Sequence, residues 1–320
     1  MPKITVAVLY GGRSAEHEVS LNSAKNIIGS FDKEKYNVLP VKISKKGEFS
    51  LDFVSKADVV FPVLHGPYGE DGSMQGFLKI LGLPFVGASV LGSALGMDKE
   101  IAKRVLRDKG LPVGKFEIIK KGQDVNFKEI KKSLGLPMFV KPANMGSSVG
   151  ISKVKNEKEF ISAIKESFLY DKKIIIEEET KGREIECAVL GNENPTASIL
   201  GEIIPLKDFY SYEAKYTDQN GARLEIPAKL SESKAKEIQD LAIKVFETLD
   251  CSGLARVDFF LQKNGKVLVN EINTLPGFTD ISMYPKLWEY GGLPIAELLD
   301  ILITLAIDNF NKINDLKVSV

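Results

Sequence analysis

A short turn signal near the end of this chain of 320 residues constrains its fold more than any other feature. Asn264-Gly265 separates two apolar-rich segments within residues 254–273. This dipeptide is typical of a two-residue type I′ turn that joins two antiparallel strands. A turn of that kind pairs Lys263 with Lys266 and thereby fixes the partner of every other residue in the hairpin.

The register that follows brings four polar residues onto one face of the hairpin. Asp258 is expected directly opposite Glu271, and Arg256 directly opposite Asn273. They share one face because side chains alternate between the two faces of a strand. The same alternation assigns Phe260 and Val269 to this polar face, and Val257, Phe259, Leu261, Leu268 and Ile272 to a face directed into a core.

The predicted pairing of two carboxylates suggests a cation site. Like charges directly opposite each other destabilise a strand pair, and a divalent cation between Asp258 and Glu271 would remove the repulsion. Oxygens of Asp, Glu and Asn are ligands that Mg²⁺ accepts, usually together with water and substrate phosphates. Two other interpretations remain open, which are a solvated acidic face and neutralisation of one carboxylate by Arg256.

Residues 139–150 have the composition of a phosphate-binding loop between two strands. Their small side chains let backbone N–H groups approach phosphate oxygens, and Lys141 adds a compact positive charge. The segment is not a Walker loop, because GxxxxGK[ST] is missing. The sequence also contains no GxGxxG, which disfavours a nicotinamide dinucleotide site. Taken alone, the segment is equally compatible with a flexible surface hairpin.

Strand-like and helix-like segments alternate through the first hundred residues, which predicts a doubly wound parallel sheet. Residues 4–10 and 57–64 are the clearest buried strands, and glycine-rich segments follow both of them at 11–12 and 65–72. Ligands of such sheets bind beyond the carboxyl ends of the strands. These two loops are therefore candidate binding segments.

The character of the sequence changes near Met97 and again near Gly182. The first change begins a helix-like segment rich in Lys and Arg, most of which we interpret as a solvated face. The last part contains the strongest helix pattern, with Ser231 as its N-cap. These changes predict three units, comprising residues 1–97, 98–181 and 182–320.

Composition excludes several functional classes. Forty-three basic residues balance forty-three acidic residues, so net charge gives no reason to expect nucleic acid or an anionic membrane as a partner. The apolar stretch 298–306 is too short to span a bilayer. The two cysteines lack CxxC spacing and the chain has two histidines, which disfavours a zinc site. We expect a soluble, cytoplasmic protein.

Several segments, in order, resemble the motifs of D-alanine–D-alanine ligases. They extend from residue 11 to beyond residue 280, nearly the whole chain, and comprise residues 11–20, 65–72, 97–99, 140–150, 209–216, 253–258 and 270–279. The resemblance implies an ATP-grasp α+β enzyme, with an N-terminal substrate domain, a central ATP-grasp subdomain and a C-terminal ATP-grasp catalytic domain. ATP is then expected between the last two.

The resemblance also implies the binding residues for ATP and two Mg²⁺ ions, which Mn²⁺ can replace. The nucleotide contacts implied are Lys99, Lys141, Ser147, Ser148, Glu177, Glu178, Glu179, Thr180, Glu184, Lys215 and Asn270. The metal ligands implied are Asp258, Glu271 and Asn273, the residues that the hairpin register brings together. The alternative for Glu177 is an ordinary exposed acid in a charged run that departs from the commonest form of the family's adenine strand.

The chemistry implied is the joining of two D-alanine molecules through an acyl-phosphate, for peptidoglycan precursors. Glu16 would bind the first substrate, in a hydrogen-bonded triad with Ser147 and Tyr216. Arg256 and the Gly277 N–H would stabilise the oxyanion. Ser282 would bind the second substrate, and His65 is a further substrate-binding candidate for which a structural hydrogen bond is an equal alternative. Residues 206–224 are interpreted as a lid, and a homodimer is expected.

Three other functions are alternatives to this one. A ligase of the same fold that uses D-lactate or D-serine second is the nearest, although Lys215-Tyr216 is typical of dipeptide formation in the family. A nucleotide-binding regulator without turnover would be expected to lack one of Lys141, Arg256, Asp258 or Glu271, and all are present. An NAD-dependent dehydrogenase is disfavoured by the missing glycine fingerprint.

Overall fold

Three sheets organise the protein in the computed structural model, which describes residues 2–206 and 222–317. The sheets follow one another along the chain, and each packs against helices. The first is parallel, and the second and third are antiparallel. The mixed α/β class expected from the sequence is confirmed, whereas the unit boundaries at residues 97 and 181 stay a prediction.

The first sheet has the parallel arrangement that alternating strands and helices predict. Its strand order is β2-β1-β3, and the residues of β3 are all buried because both faces are covered. This part of the chain contains β1 (Ile4–Gly11), α1 (His17–Ser30), β2 (Tyr36–Ile43), α2 (Leu51–Val54), β3 (Val59–Val63), α3 (Ser73–Ile80) and α4 (Val90–Met97).

The second sheet is antiparallel and has its own apolar core. Its strand order is β4-β7-β5-β6. The elements here are α5 (Lys99–Asp108), β4 (Phe116–Lys120), α6 (Phe127–Leu134), β5 (Met138–Pro142), β6 (Ser152–Val154), α7 (Glu157–Ser167) and β7 (Lys173–Glu178). The core under this sheet draws its buried residues from positions 119–176.

The third sheet carries the predicted hairpin. Its order is β10-β9-β8-β11-β12, formed by β8 (Arg183–Gly191), β9 (Thr196–Pro205), β10 (Ala222–Glu225), β11 (Gly253–Leu261) and β12 (Val267–Asn273). Helix α8 (Glu232–Thr248) packs on it, and the Ser231 hydroxyl accepts the Lys234 N–H as predicted for an N-cap. Ile238, Ala242, Val245 and Phe246 form the buried stripe of α8.

The hairpin reaches the predicted pairing by a different route. Its loop has three residues rather than two, because Gln262 and Lys266 close it and Gly265 adopts φ 83°. The predicted pair of Lys263 with Lys266 is therefore wrong. A β-bulge between Asp258 and Phe259 then shifts the register by one residue, which restores Asp258 opposite Glu271 and Arg256 opposite Asn273.

Between the loop and the bulge, the predicted faces of Leu268 and Val269 on β12 are wrong. Phe260 pairs with Leu268 rather than with Val269. Val269 is only 1% exposed and belongs to the core beneath the third sheet, so its assignment to the polar face is corrected. Leu268 lines the cleft described below instead of that core. The bulge also directs both Asn270 and Glu271 toward the cleft.

The last helices return to the first sheet. Helices α9 (Met283–Tyr290) and α10 (Ile295–Asn314) contribute buried residues such as Leu298 and Leu302 to the core around Val6 and Phe61. Within residues 2–206 and 222–317, no single helix is long and apolar enough to cross a membrane. The pair α9 and α10 passes that test by length and composition only when combined, and the two helices meet at 109°.

Candidate active site

A cleft of about 440 Å³ separates the second sheet from the third. All the described residues that the sequence implied for nucleotide contact line it, namely Lys99, Lys141, Ser147, Ser148, Glu177, Glu178, Glu179, Thr180, Glu184 and Asn270. They come from α5, from β5 and the loop after it, from β7 and β8, and from the bulge in β12. The structure therefore brings this set together, and the individual roles stay predictions.

Two lysines from different elements approach carboxylates in the cleft. The Lys99 ammonium donates to the Met145 carbonyl at 2.7 Å and lies 3.6 Å from the Glu271 carboxylate. The Lys141 ammonium lies 2.5 Å from Glu177. Fixed ammonium groups with little exposure are suited to anionic groups such as phosphates.

Glu177 is held between two ammonium groups, and this arrangement explains how a carboxylate with only 13% of its side chain exposed is accommodated. The Lys103 ammonium lies 2.9 Å from Glu177 Oε1, opposite Lys141. Burial alone would raise the pKa of the Glu177 carboxyl, but the two lysines hold it at about 2. The sequence predicts a solvated face for this basic segment and gives no sign of a role for Lys103, yet this side chain is buried and lines the cleft.

Arg256 connects the carboxylates at the end of the hairpin. Its guanidinium donates to both oxygens of Asp258, at 2.7 and 2.8 Å, and lies 2.9 Å from Glu186 on β8. The Asn273 amide donates to Asp258 at 3.0 Å. Burial alone would lower the pKa of Arg256, but the neighbouring carboxylates raise it, so the guanidinium stays charged.

The oxygen donors at this site fit the chemistry of a magnesium ion. Asp258 and Glu271 are cross-strand neighbours, and the amide of Asn273 adjoins them. In residues 2–206 and 222–317 no cluster of three or more His, Cys, Asp or Glu side chains is arranged to hold a metal. A donor set of two carboxylates and one amide leaves coordination positions for phosphate and water, as magnesium sites usually do.

The loop after β5 connects the cleft with the first helix. Ser147 and Ser148 both have positive φ, at 51° and 60°, which non-glycine residues rarely adopt. The Ser147 hydroxyl donates to the Glu16 carboxylate at the start of α1. Gly146 packs so closely that a Cβ there would lie 2.9 Å from Glu16 Oε2. The loop therefore contacts Glu16 at the same place where its backbone adopts positive φ.

The acidic residues around the end of β7 face different partners. Glu178 accepts the Lys115 N–H at 2.9 Å, and Glu179 pairs with Lys153 at 2.6 Å. The Lys153 ammonium also lies 5.8 Å from the centre of the Phe139 ring. Glu177 is thus the counter-ion of two lysines with only 13% of its side chain exposed, so its interpretation as an ordinary exposed acid is wrong.

The remaining predicted substrate residues lie beside the first helix. His65 is buried and donates from Nδ1 to the Leu275 carbonyl at 3.1 Å. Burial alone would lower the pKa of His65, but its interaction with Glu70 raises it. Gly277 packs against Ser282, whose hydroxyl would lie 2.9 Å from a Cβ at position 277. Tyr216, Lys215 and most of the predicted lid, residues 206–224, lie outside the described residues.

Comparison with known proteins identifies two matching family models. The model for the D-ala D-ala ligase C-terminus matches residues 105–304, and the model for the N-terminus matches residues 5–56 and 50–88. A D-alanine–D-alanine ligase from Oceanobacillus iheyensis is 49% identical, and the alignment covers 99% of each chain.

Solved structures with the same fold belong to ligases of this kind. The VanG D-Ala:D-Ser ligase from Enterococcus faecalis has a TM-score of 0.86 and 34% identity, covering 95% of this chain and 100% of its own. A D-alanine–D-alanine ligase from Bacillus anthracis complexed with ATP has a TM-score of 0.83 and 31% identity, covering 97% and 99%. The expected ATP-grasp fold is confirmed by these likenesses.

Removing the charge of Glu177 tests the electrostatics of the cleft. The carboxyl titrates near 4.5 when unperturbed and at about 2 in the folded protein, so the unfolded chain binds the proton first as pH falls. Its stabilisation is complete above about pH 5 and is lost as pH falls toward 2. We expect Glu177→Gln to lower the free energy of unfolding at pH 7 by about 3 kcal/mol.

Urea unfolding at pH 7 and at pH 3.5 measures this effect. Glu166→Gln, at an exposed position on α7, is the matched control. Between pH 7 and pH 3.5, the free energy of unfolding should fall less for Glu177→Gln than for the wild type. A Glu177→Gln protein as stable as the control at pH 7 would contradict the assignment of Glu177 as the counter-ion of two lysines.

Proposed function

Because this chain belongs to the D-alanine–D-alanine ligase family, we propose that it joins two D-alanine molecules and converts ATP to ADP and phosphate. The observation that carries the proposal is the rung in which Asp258 faces Glu271, beside a cleft that Lys99 and Lys141 enter. Opposed acids next to buried ammonium groups suit a polyphosphate bound together with a divalent cation.

The first step activates the first substrate. A carboxylate is a poor acyl donor, so an oxygen of D-alanine attacks the γ-phosphorus, the bond to ADP breaks, and an acyl-phosphate forms. Lys99 and Lys141 stabilise the charge on the phosphate oxygens, and Lys215, which lies outside the described residues, is a further proposed ligand of the γ-phosphate. Catalysis of such a step is mainly positioning and electrostatic stabilisation.

The cation is proposed to be Mg²⁺, with two ions per site and Mn²⁺ as a possible substitute. Asp258, Glu271 and Asn273 are the proposed ligands. When bound, the ions supply positive charge that neutralises the triphosphate. Arg256 fixes the two oxygens of Asp258 through paired hydrogen bonds at 2.7 and 2.8 Å, so the carboxylate is held in place as a ligand.

The second step forms the peptide bond. The amine of the second D-alanine attacks the acyl carbon and gives a tetrahedral oxyanion. The nitrogen loses a proton, the bond between the acyl carbon and the phosphate oxygen breaks, and phosphate leaves with the electron pair of that bond. We propose that Arg256 and the Gly277 N–H donate hydrogen bonds to this oxyanion. Donors fixed in advance and protected from water are the usual source of such stabilisation.

The two amino acids are proposed to bind beside α1. Glu16 receives the ammonium of the first substrate, and its hydrogen bond with Ser147 links that site to the phosphate loop. Tyr216 completes the triad. Ser282 binds the carboxylate of the second substrate. Because His65 is only 5% exposed, we propose that it supports the substrate site by holding the Leu275 carbonyl and does not bind substrate directly.

Nucleotide binding follows the residues that line the cleft. Glu177, Glu178, Glu179 and Thr180, at the end of β7 and directly after it, are the proposed adenine contacts, and Glu184 is the proposed ribose ligand. Ser147, Ser148 and Asn270, which also line the cleft, are the remaining proposed contacts of the phosphates. Residues 206–224 are the proposed lid, which would exclude water and so protect the acyl-phosphate from hydrolysis.

The second substrate has one serious alternative. The D-Ala:D-Ser ligase VanG shares the fold at a TM-score of 0.86, so architecture alone does not select D-alanine over D-serine or D-lactate. The pair Lys215-Tyr216 and the 49% identity to a D-alanine–D-alanine ligase over 99% of the chain favour D-alanine. A nucleotide-binding regulator without turnover is disfavoured by the complete set of charged residues in the cleft.

The location and assembly are inferred as well. ATP is plentiful in the cytoplasm, and both cysteines are free thiols, which suits that compartment. We infer a homodimer, as is usual in the family, and the exposed apolar side chains Ile80 and Leu91 on α3 and α4 are available for such contact. Sedimentation equilibrium should give twice the mass of 35.2 kDa, and a monomer at micromolar concentration would contradict the dimer.

Substrate choice is measured directly with the purified protein. With ATP and Mg²⁺, phosphate release should require D-alanine and stay at background with L-alanine. Mass spectrometry of the product should show D-alanyl-D-alanine as the main species when D-alanine competes with equal D-serine or D-lactate at pH 7. A main product containing D-lactate or D-serine would replace the proposal with the alternative ligase, and ATP turnover independent of D-alanine would refute both.

Substitution of Glu271 tests the proposed cation site. Glu271→Gln keeps the shape of the side chain but removes a charged ligand, so we expect kcat to fall about 100-fold or more. Glu289→Gln, exposed on α9, is the matched control and should retain full activity. Calorimetric titration of Mg²⁺ with a non-hydrolysable ATP analogue should show weaker binding only in Glu271→Gln. Unimpaired turnover would refute the role of Glu271.

A further inference from the structure

Two side chains of α1 hold a single residue of the loop that follows β12. The Ser23 hydroxyl accepts the Phe278 N–H at 3.1 Å, and the Asn26 amide donates to the Phe278 carbonyl at 2.8 Å. Ser23 is completely buried, and it lies 255 positions from Phe278 in the sequence. Both polar groups of the Phe278 backbone are thus bonded to the same helix.

A third contact holds the start of the same loop. His65 Nδ1 donates to the Leu275 carbonyl at 3.1 Å, and His65 Nε2 lies 3.3 Å from the Ser23 hydroxyl. A carbonyl oxygen only accepts, so Nδ1 carries the proton and Nε2 faces Ser23. Residues 275–278 are therefore attached to the first domain at Leu275 and at Phe278.

Gly277 lies between these two attachment points. It has no side chain of its own to restrict rotation of its peptide groups. A Cβ at this position would lie 2.9 Å from the Ser282 hydroxyl and 4.0 Å from that of Ser23, so the loop passes close to both. The direction of the Gly277 N–H therefore depends on how its neighbours are held.

We infer that Ser23 and Asn26 are positioning residues for the acyl-transfer step, an inference that rests on the proposed function. By fixing the Phe278 backbone they orient the Gly277 N–H toward the oxyanion and hold Ser282 at the second-substrate site. A misplacement of about 1 Å in such a group costs about 100-fold in rate. Neither residue touches the reacting atoms.

The helix also sets a distance. Glu16, the proposed ligand of the first substrate, is the N-cap of α1, and Asn26 lies ten residues later. At about 1.5 Å per residue the two positions are about 15 Å apart along one rigid element. One helix thus connects the proposed ligand of the first substrate with the side chains that hold the oxyanion loop.

The two steps of the reaction separate this role from a merely structural one. Formation of the acyl-phosphate does not use the oxyanion loop, whereas peptide bond formation does. We expect Ser23→Ala and Asn26→Ala each to slow dipeptide formation about 10- to 100-fold, with the KM for ATP within about twofold of wild type. A structural defect would instead impair both steps together.

Positional isotope exchange in γ-¹⁸O-labelled ATP reports the first step. When the second step is slow, the acyl-phosphate returns to ATP more often, so exchange in the presence of D-alanine should be at least as fast as in wild type. Ser30→Ala and Asn22→Ala are matched controls on the same helix, since the Ser30 hydroxyl donates to the Asn26 carbonyl of the helix itself and Asn22 is exposed. Both should behave as wild type.

The possible results have distinct meanings. Equal loss of exchange and dipeptide formation, or no loss of either, would overturn the positioning role. If Ser23→Ala fails to fold, Asn26→Ala decides, because Asn26 is partly exposed and should retain the wild-type melting temperature. A wild-type protein that neither exchanges nor makes dipeptide would refute the proposed function instead.

Discussion

The cross-strand pairing of two carboxylates, Asp258 on β11 and Glu271 on β12, is the constraint on which the rest of the site depends. Like charges directly opposite each other destabilise a strand pair unless positive charge lies beside them. Arg256 supplies it from the same strand, and Lys99 from α5 lies 3.6 Å from Glu271. The positive groups of the cleft are thus arranged around a cluster of acids, which leaves few uncompensated charges.

The sequence could predict this rung but not how the chain forms it. Alternation and a turn signal were sufficient for the pairing of Asp258 with Glu271. The three-residue loop and the bulge each change the register by one, in opposite senses, so their effects cancel beyond the bulge. Leu268 and Val269 lie between the loop and the bulge, and their faces are predicted wrongly because apolar periodicity reveals neither the length of a loop nor a bulge.

Contacts between segments that are distant in the sequence cannot be predicted from local sequence patterns. Lys103 looked like part of a solvated basic face, since a pattern on one helix does not reveal a buried acid that approaches from β7. The bonds from Ser23 and Asn26 to Phe278 join positions about 250 residues apart in sequence and belong to no motif. The family resemblance indicated the lining of the cleft, whereas the residues that support it required tertiary structure.

The distribution of the cores has a consequence for how the cleft can open. The first sheet and the last helices share one continuous apolar core, and α5 packs with the third sheet through Ala102 and Leu106. The second sheet has a separate core, and polar contacts such as Lys103 with Glu177 and Ser147 with Glu16 bridge it to the remainder.

Separating the first sheet from the last helices would expose hydrocarbon to water, which nothing in the solvent compensates. Bridges made of charges and hydroxyls can instead be exchanged for water or for an arriving anion with little net change. The part of the molecule built on the second sheet is therefore the one expected to move when the cleft opens, while the first and third sheets and the last helices stay together.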